Sequence, residues 1–412
     1  MKIISTAFTG IGLLAFSICA ATVKCQANTY VVERKDGNTL QVSTDRAKDA
    51  PETKLILRGV GSGVEPQIKK TFCDGVTLEL VEKGTWRVPQ GCRHISWIVP
   101  LSRTAETPYA QRSVILEHGF LLCEGSSIAR LEDSNSIDFL KLPEGQIFPS
   151  GPANELQLPP REAPFLLVLV GSRPALKRHV DNINLIYFLD KRSGRSRIAD
   201  ISRHVVGLKW LKDHLHSTQL SKFTVLWMAN SSDVLSLGGL TGKDLLVVNY
   251  SDGTSVEPFG KAMRLYVPLH EAIHQLAASD NRRPPWYDES LASYFAARAT
   301  IFASSSDPNA VAMFEKFKDD ARRFDLGLIP MDRHIADTGD TSAVAAFYTK
   351  GVAFWDAVNT ALLESRGESL NDYMAALCGS NVTDSEHLPD FIQSTLRLPP
   401  DRWASIKEHY LL

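Results

Sequence analysis

Between residues 29 and 161 the apolar positions fall in short or alternating runs, "TYVVERKDG", "VTLELVEKGTWRV", "HISWIVPL" and "SVILEHGFLLC", separated by Gly, Pro, Asn and Asp turns. A period of two places successive side chains on opposite faces, and the runs carry many β-branched or aromatic residues, so they predict antiparallel strands in a sandwich-like domain. The stretch "FPSGPANELQLPPREAP" (148–164) is rich in proline and has no helical period, which puts a domain boundary near 163. Four further apolar runs, 165–171, 184–190, 223–229 and 244–251, read as strands, with a helix over about 199–219 between the second and third. That order predicts a mixed sheet rather than a repeated βαβ array. From about 261 the period becomes helical, over 265–278, 287–303, 308–323, 343–364, 368–378 and 388–410. The expected architecture is α+β: a β-rich domain over 28–162, then a second domain over 163–412 with a small mixed sheet and a helical half.

Composition narrows the partners. The 412 residues are 44% hydrophobic and 22% charged with a formal charge of -2, and no block of like charges offers a footprint for nucleic acid or an anionic membrane. At the N-terminus Lys2 precedes an apolar run from Ile3 to Val23 that ends among small residues. Residues 1–27 therefore read as a secretory signal, with cleavage after Cys25-Gln26-Ala27 or Ile18-Cys19-Ala20, and the protein is expected to be exported to a periplasm or secreted. The competing reading is an uncleaved anchor, because the run approaches the length of a membrane span; contact with a membrane is expected only in that case. Cleavage leaves Cys73, Cys92, Cys123 and Cys378 in an oxidising compartment. Three pairings are open to four cysteines; Cys73 with Cys92 is preferred because they flank a hairpin-like stretch, and buried free thiols are the alternative.

The densest chemistry lies in "LHEAIHQLAASDNRRPPWYDESLASYF" (269–295). On a helix His270 and His274, four apart, project from one face with Glu271 beside them, which is the HExxH arrangement. Two neutral imidazoles in this spacing hold Zn²⁺, and the glutamate takes a proton from the bound water. Leu265, Leu269, Ile273 and Leu276 give the same helix an apolar stripe, so the histidines are expected to be buried. Two buried imidazoles and a carboxylate without partners would cost several kcal/mol, and a metal satisfies all three. A third ligand is needed. Glu289 is the candidate, opening a new helix after the loop 279–285; Asp280 lies too near the first helix end, Asp288 faces away if Glu289 faces in, and His334 is a distant alternative.

His270 to His274 followed by Trp286-Tyr287-Asp288-Glu289-Ser290-Leu291-Ala292-Ser293-Tyr294-Phe295 resembles the gluzincin metallopeptidases, and "FYTKGVAFWDAVNTAL" (347–362) resembles a helix start of their aminopeptidase-N and glycyl-aminopeptidase groups. The resemblance implies a thermolysin-like catalytic domain, Zn²⁺ on His270, His274 and Glu289, Glu271 as general base toward the zinc-activated water, and Tyr348 as the phenol on the oxyanion. The substrate would be a peptide or protein. By the same resemblance Gly238, Gly239 and Leu240 belong to a substrate-binding strand, but Thr241-Gly242 stand where those groups carry an acidic pair, and Ser290 stands where glycine is usual. Aminopeptidase and endopeptidase both remain open. The rival reading is a non-catalytic exported module that binds peptides or acts as a scaffold on the same fold. Lys350-Gly351 is expected to serve close helix packing, while Trp286 and Tyr287 either line a pocket or anchor the loop to the core.

Overall fold

The computed structural model describes residues 27–412 except 63, 104–110, 133–136, 144–146, 150–153, 162, 190–195, 217–221, 231–237, 243–244, 252–257, 278–282 and 305–306. Residues 1–26 of the expected signal segment lie outside this range, and among the described residues no helix is long and apolar enough to cross a membrane.

Alternation builds the N-terminal part in strands as expected, antiparallel except where Ala27–Asp36 runs parallel to Ile137–Lys141 and Val114–Ile115 to Ser102–Arg103. Ala27–Asp36 pairs antiparallel with Thr39–Asp45, which pairs in turn with His94–Pro100, within a seven-stranded sheet. Tyr30, Val32, Leu40, Val42, Ile95, Trp97 and Val99 alternate inward along these strands into one core. Four- and five-stranded sheets complete the β-rich half. Cys73 and Cys92 form a disulfide, the preferred pairing, while Cys123 and Cys378 are buried thiols.

One strand belongs elsewhere than its pattern implied. The run 165–171 was expected to open the second sheet; instead Leu167–Val170 pairs with Phe120–Cys123 and Ile147–Phe148 in the N-terminal five-stranded sheet. The reason is burial on both faces. Val168 and Val170 enter the N-terminal core, whereas Leu167 and Leu169 pack on Phe188, Leu226, Met228, Leu245 and Val247 of the next sheet. A strand apolar on both faces carries no alternation to show which sheet it joins.

The second sheet has the order Leu176–Val180, Ile183–Leu189, Lys222–Asn230, Leu245–Ser251, Gly238–Thr241. Its three inner strands are parallel to one another, and both edges are antiparallel to their neighbours. It is the mixed sheet expected, with one extra edge strand, Leu176–Val180, whose exposed Lys177, Arg178 and His179 interrupt any apolar run. One face meets the N-terminal sheet. The other, through Leu185, Tyr187, Phe223, Val225, Trp227, Leu246 and Val248, shares a core with the helices. The helical half follows the predicted segments with two departures. Leu328–Thr338 forms a helix that was not anticipated, and the segment 388–410 is two helices, Leu388–Leu396 and Pro400–Tyr410, because Arg397 turns left-handed and Pro399-Pro400 cannot continue the first.

Two helices approach unusually closely. A Cβ built on Gly351, in Ala345–Arg366, would lie 2.3 Å from Ser290 Cβ in Pro285–Ala303, and one turn on Trp355 Nε1 donates to Ser290 Oγ at 2.9 Å. Lys350 is held away from any chemistry, its ammonium donating to the carbonyls of Phe324 and Leu326. Gly351→Ala should therefore destabilise the protein by about 1–3 kcal/mol through overpacking, measured as a lowered midpoint in urea unfolding.

His204, on the helix Ser196–Leu215, is fully buried between sheet and helices with Nδ1 3.0 Å from the Tyr187 hydroxyl, and burial pushes its pKa down to about 3. Between that value and the ordinary pKa of about 6.5 the unfolded chain binds a proton that the folded chain refuses, so stability should fall as pH drops through this window, by at most about 1.4 kcal/mol per unit from this group. His204→Phe should flatten that dependence in denaturant titrations between pH 4 and pH 7.

Candidate metal centre

The helix Pro258–Leu276 buries Leu265, Leu269, Ile273 and Leu276 against the sheet and its neighbours, as the apolar stripe predicts. That orientation fixes the opposite side: His270 is buried and His274 half-buried. The chain returns through Pro284 and Pro285, which start the helix Pro285–Ala303 and put Asp288 and Glu289 near its N-terminus, where the helix dipole favours carboxylates.

These residues converge. Glu289 Oε2 lies 3.0 Å from His270 Nε2 and 3.7 Å from His274 Nε2, and the two Nε2 atoms are 3.2 Å apart. One donor atom from each of His270, His274 and Glu289 falls within 4.8 Å of the others. The far edges of both rings are taken: His270 Nδ1 meets Ser293 Oγ at 3.3 Å, and His274 Nδ1 meets Asp288 Oδ2 at 3.3 Å. A proton on each Nδ1 leaves two Nε2 lone pairs and a carboxylate oxygen aimed at one point, a mutually repulsive set unless a cation lies among them. Two imidazoles and one carboxylate are a donor set suited to a divalent metal. Without a metal, burial opposes the charge on Glu289, yet the neighbouring His274 and His270 outweigh it and hold its carboxyl far below the usual range. Burial likewise opposes protonation of His274, and Glu289 and Asp288 outweigh it, so its pKa is raised well above the ordinary value. The ion pairing shows the site's appetite for positive charge.

Tyr348 completes one side. Its ring centre is 5.5 Å from that of His270, and its phenol hydrogen-bonds Glu289. Burial, then the charges of Glu289 and Glu271, push its pKa far upward, so the phenol keeps its proton. On the other side Glu271 meets the edge strand Gly238–Thr241: Thr241 Oγ1 donates to Glu271 Oε2 at 2.5 Å, and Gly239 lies directly against the carboxylate. Of the three residues expected to contact substrate, Gly238 and Gly239 are half-buried along this edge, while the Leu240 side chain packs into the apolar layer between the sheets.

Asp288 departs from the expectation that it would face away. It accepts from the outer edge of His274 while Glu289 approaches the inner edge, and Arg283 Nη2 grips its other oxygen at 2.5 Å while also donating to the Cys378 carbonyl. Its adjacency to a ligand was the available signal, since metal-binding imidazoles commonly donate to a carboxylate. Ser293, one turn beyond Glu289, and Thr241 carried no signal of their own. His334 sits on the surface helix Leu328–Thr338, where it faces Asp340 at 3.8 Å and takes no part in the cluster. Asp280 lies outside the described residues. Trp286 and Tyr287 are anchors: both are fully buried, with Trp286 Nε1 donating to Ser385 Oγ and the Tyr287 hydroxyl to the Leu377 carbonyl.

No family model and no curated protein matches the sequence. Among solved structures the chain is similar to an aminopeptidase N family protein from Idiomarina loihiensis, with a TM-score of 0.65 at 11% identity over 85% of this chain and 69% of that one. This is a zinc aminopeptidase-like fold. An M1 zinc metallopeptidase mutant from Deinococcus radiodurans matches over 93% of both chains, at a TM-score of 0.50 and 11% identity. The peptidase fold therefore extends over the β-rich half as well as the helices.

Asp288→Asn removes the negative charge behind His274 while keeping its shape. Affinity for a divalent metal should fall by about 10–100-fold, read by competition with a chromophoric chelator, and because Arg283 loses its carboxylate partner the unfolding midpoint of the metal-free protein should fall as well.

Proposed function

We propose that the protein is an exported, zinc-dependent metallopeptidase. The observation that carries this reading is the convergence of His270, His274 and Glu289 on one point with Glu271 beside it. Three protein ligands would leave an open position, which is the pattern of a catalytic rather than a structural zinc. Zinc, when bound, lowers the pKa of a water at that position and polarises the scissile carbonyl.

The chain's own residues supply the rest. Glu271 takes the proton from the attacking water and delivers it to the leaving amine. Tyr348, whose phenol stays protonated, donates a hydrogen bond to the oxyanion of the tetrahedral intermediate. Gly238, Gly239 and Leu240 lie on the edge strand of the sheet among the described residues, and an extended peptide would pair with the outer side of that strand. Asp288 and Ser293 orient the two imidazoles from behind. Export to a periplasm or the exterior is supported by the N-terminal apolar run and by the Cys73–Cys92 disulfide, which suits an oxidising compartment.

The rival, a scaffold that retains the fold without chemistry, gives no reason for a carboxylate held at Glu271 between the ligand helix and the edge strand. Metal content and cleavage of a mixed peptide library, measured for wild type and Glu271→Gln, decide between them. The expected result is one zinc per chain in both, with kcat lowered by about 10²–10⁴-fold in the variant; equal inactivity of both proteins would favour the scaffold. Tyr348→Phe should lower kcat by about 10²–10³-fold with zinc retained. Acetylating the substrate's N-terminus then assigns the class, since an aminopeptidase stops and an endopeptidase continues.

A further inference from the structure

The edge strand and the histidine helix are bound together by polar contacts at one place. Gln275 Nε2 donates to the Gly242 carbonyl at 3.0 Å, and one turn earlier Thr241 Oγ1 reaches Glu271 twice, at 3.1 Å from its backbone oxygen and 2.5 Å from Oε2. A threonine hydroxyl has a single proton. The shorter contact has the length of a charge-assisted O–H···O⁻ bond, so the proton lies on the carboxylate side. Two residues before Thr241, a Cβ on Gly239 would fall 2.4 Å from Glu271 Cγ and 2.5 Å from Oε1. The carboxylate is thus laid along the strand, with Oε2 on the Thr241 hydroxyl and Oε1 against the bare Cα of Gly239.

Resting on the peptidase reading, we infer that Thr241 is a positioning residue for the general base, its hydroxyl locking Oε2 of Glu271 so that Oε1 alone is left to take the proton, while Gly239 provides the space this pose requires. A base must come within about 2.6–3.2 Å of the proton it abstracts. A Glu side chain has several rotamers, and the contacts with Thr241 and Gly239 select one of them. Because Glu271 touches the reacting water and not the peptide's ground-state contacts, loosening it should slow turnover and leave substrate binding alone.

Thr241→Val removes the hydroxyl at nearly constant volume, and Thr241→Ser keeps it. In the zinc-loaded full chain, Thr241→Val should lower kcat by about 10–100-fold, with KM within about twofold and with zinc content and melting temperature unchanged; Thr241→Ser should stay within about threefold of wild type. Crystal structures of the three proteins should show the Glu271 carboxylate on residue 241 in wild type and Thr241→Ser, and rotated away in Thr241→Val. A wild-type kcat in Thr241→Val, an equal loss in Thr241→Ser, or an unmoved carboxylate without the hydroxyl would each overturn the inference. If wild type cleaves no peptide at all, the peptidase reading fails by itself, and the crystallographic position of Glu271 in Thr241→Val still decides whether Thr241 holds it.

Discussion

Three electron-pair donors, His270 Nε2, His274 Nε2 and Glu289 Oε2, are forced within hydrogen-bonding distance of one another in a half-buried pocket. With both imidazoles neutral they repel, and a proton on His274 or a metal cation among them relieves it. Much of the surrounding structure serves to keep them there. The apolar stripe of the histidine helix drives it against the sheet, the proline-led return places Glu289 at a helix N-terminus, and the Ser290–Gly351 contact brings the helix bearing Tyr348 up against the same helix. Asp288, Arg283 and Ser293 then fix the rings from outside.

The site is asymmetric in a way that matches the labour expected of its parts. On the side of the helical bundle the backing is aromatic and buried: Tyr348 is packed on His270, and Trp286, Tyr287 and Trp355 lie in the core. On the side of the sheet the contact is made by glycines and a threonine at a half-buried strand edge. The first side brings His270, His274 and Glu289 together, and the second holds the Glu271 carboxylate against the strand.

The sequence revealed the parts of this arrangement that are local. His270, Glu271 and His274 share a helical face through spacing alone, and Glu289 follows from a loop short enough to bring two helices back together. What it concealed was tertiary. Nothing near Thr241 announces that it meets Glu271, 30 residues away along the chain, and Asp288 was misjudged because helical phase describes which way a residue points but not which edge of a neighbouring ring it meets. The run 165–171 joins the N-terminal sheet without a pattern to show it, because it is apolar on both faces, and the strand Leu176–Val180 has no apolar run because exposed cations line it, as suits a sheet edge. The disulfide was legible because its two cysteines bracket a local hairpin.

That doubly apolar strand has a consequence for motion. Leu167 and Leu169 share one buried apolar layer with Phe188, Leu226, Met228, Leu245 and Val247, so the sheet that leads to the edge strand packs through it on the β-rich half. Opening a hinge between the halves would expose this apolar layer to water, so the layer resists the two halves swinging apart.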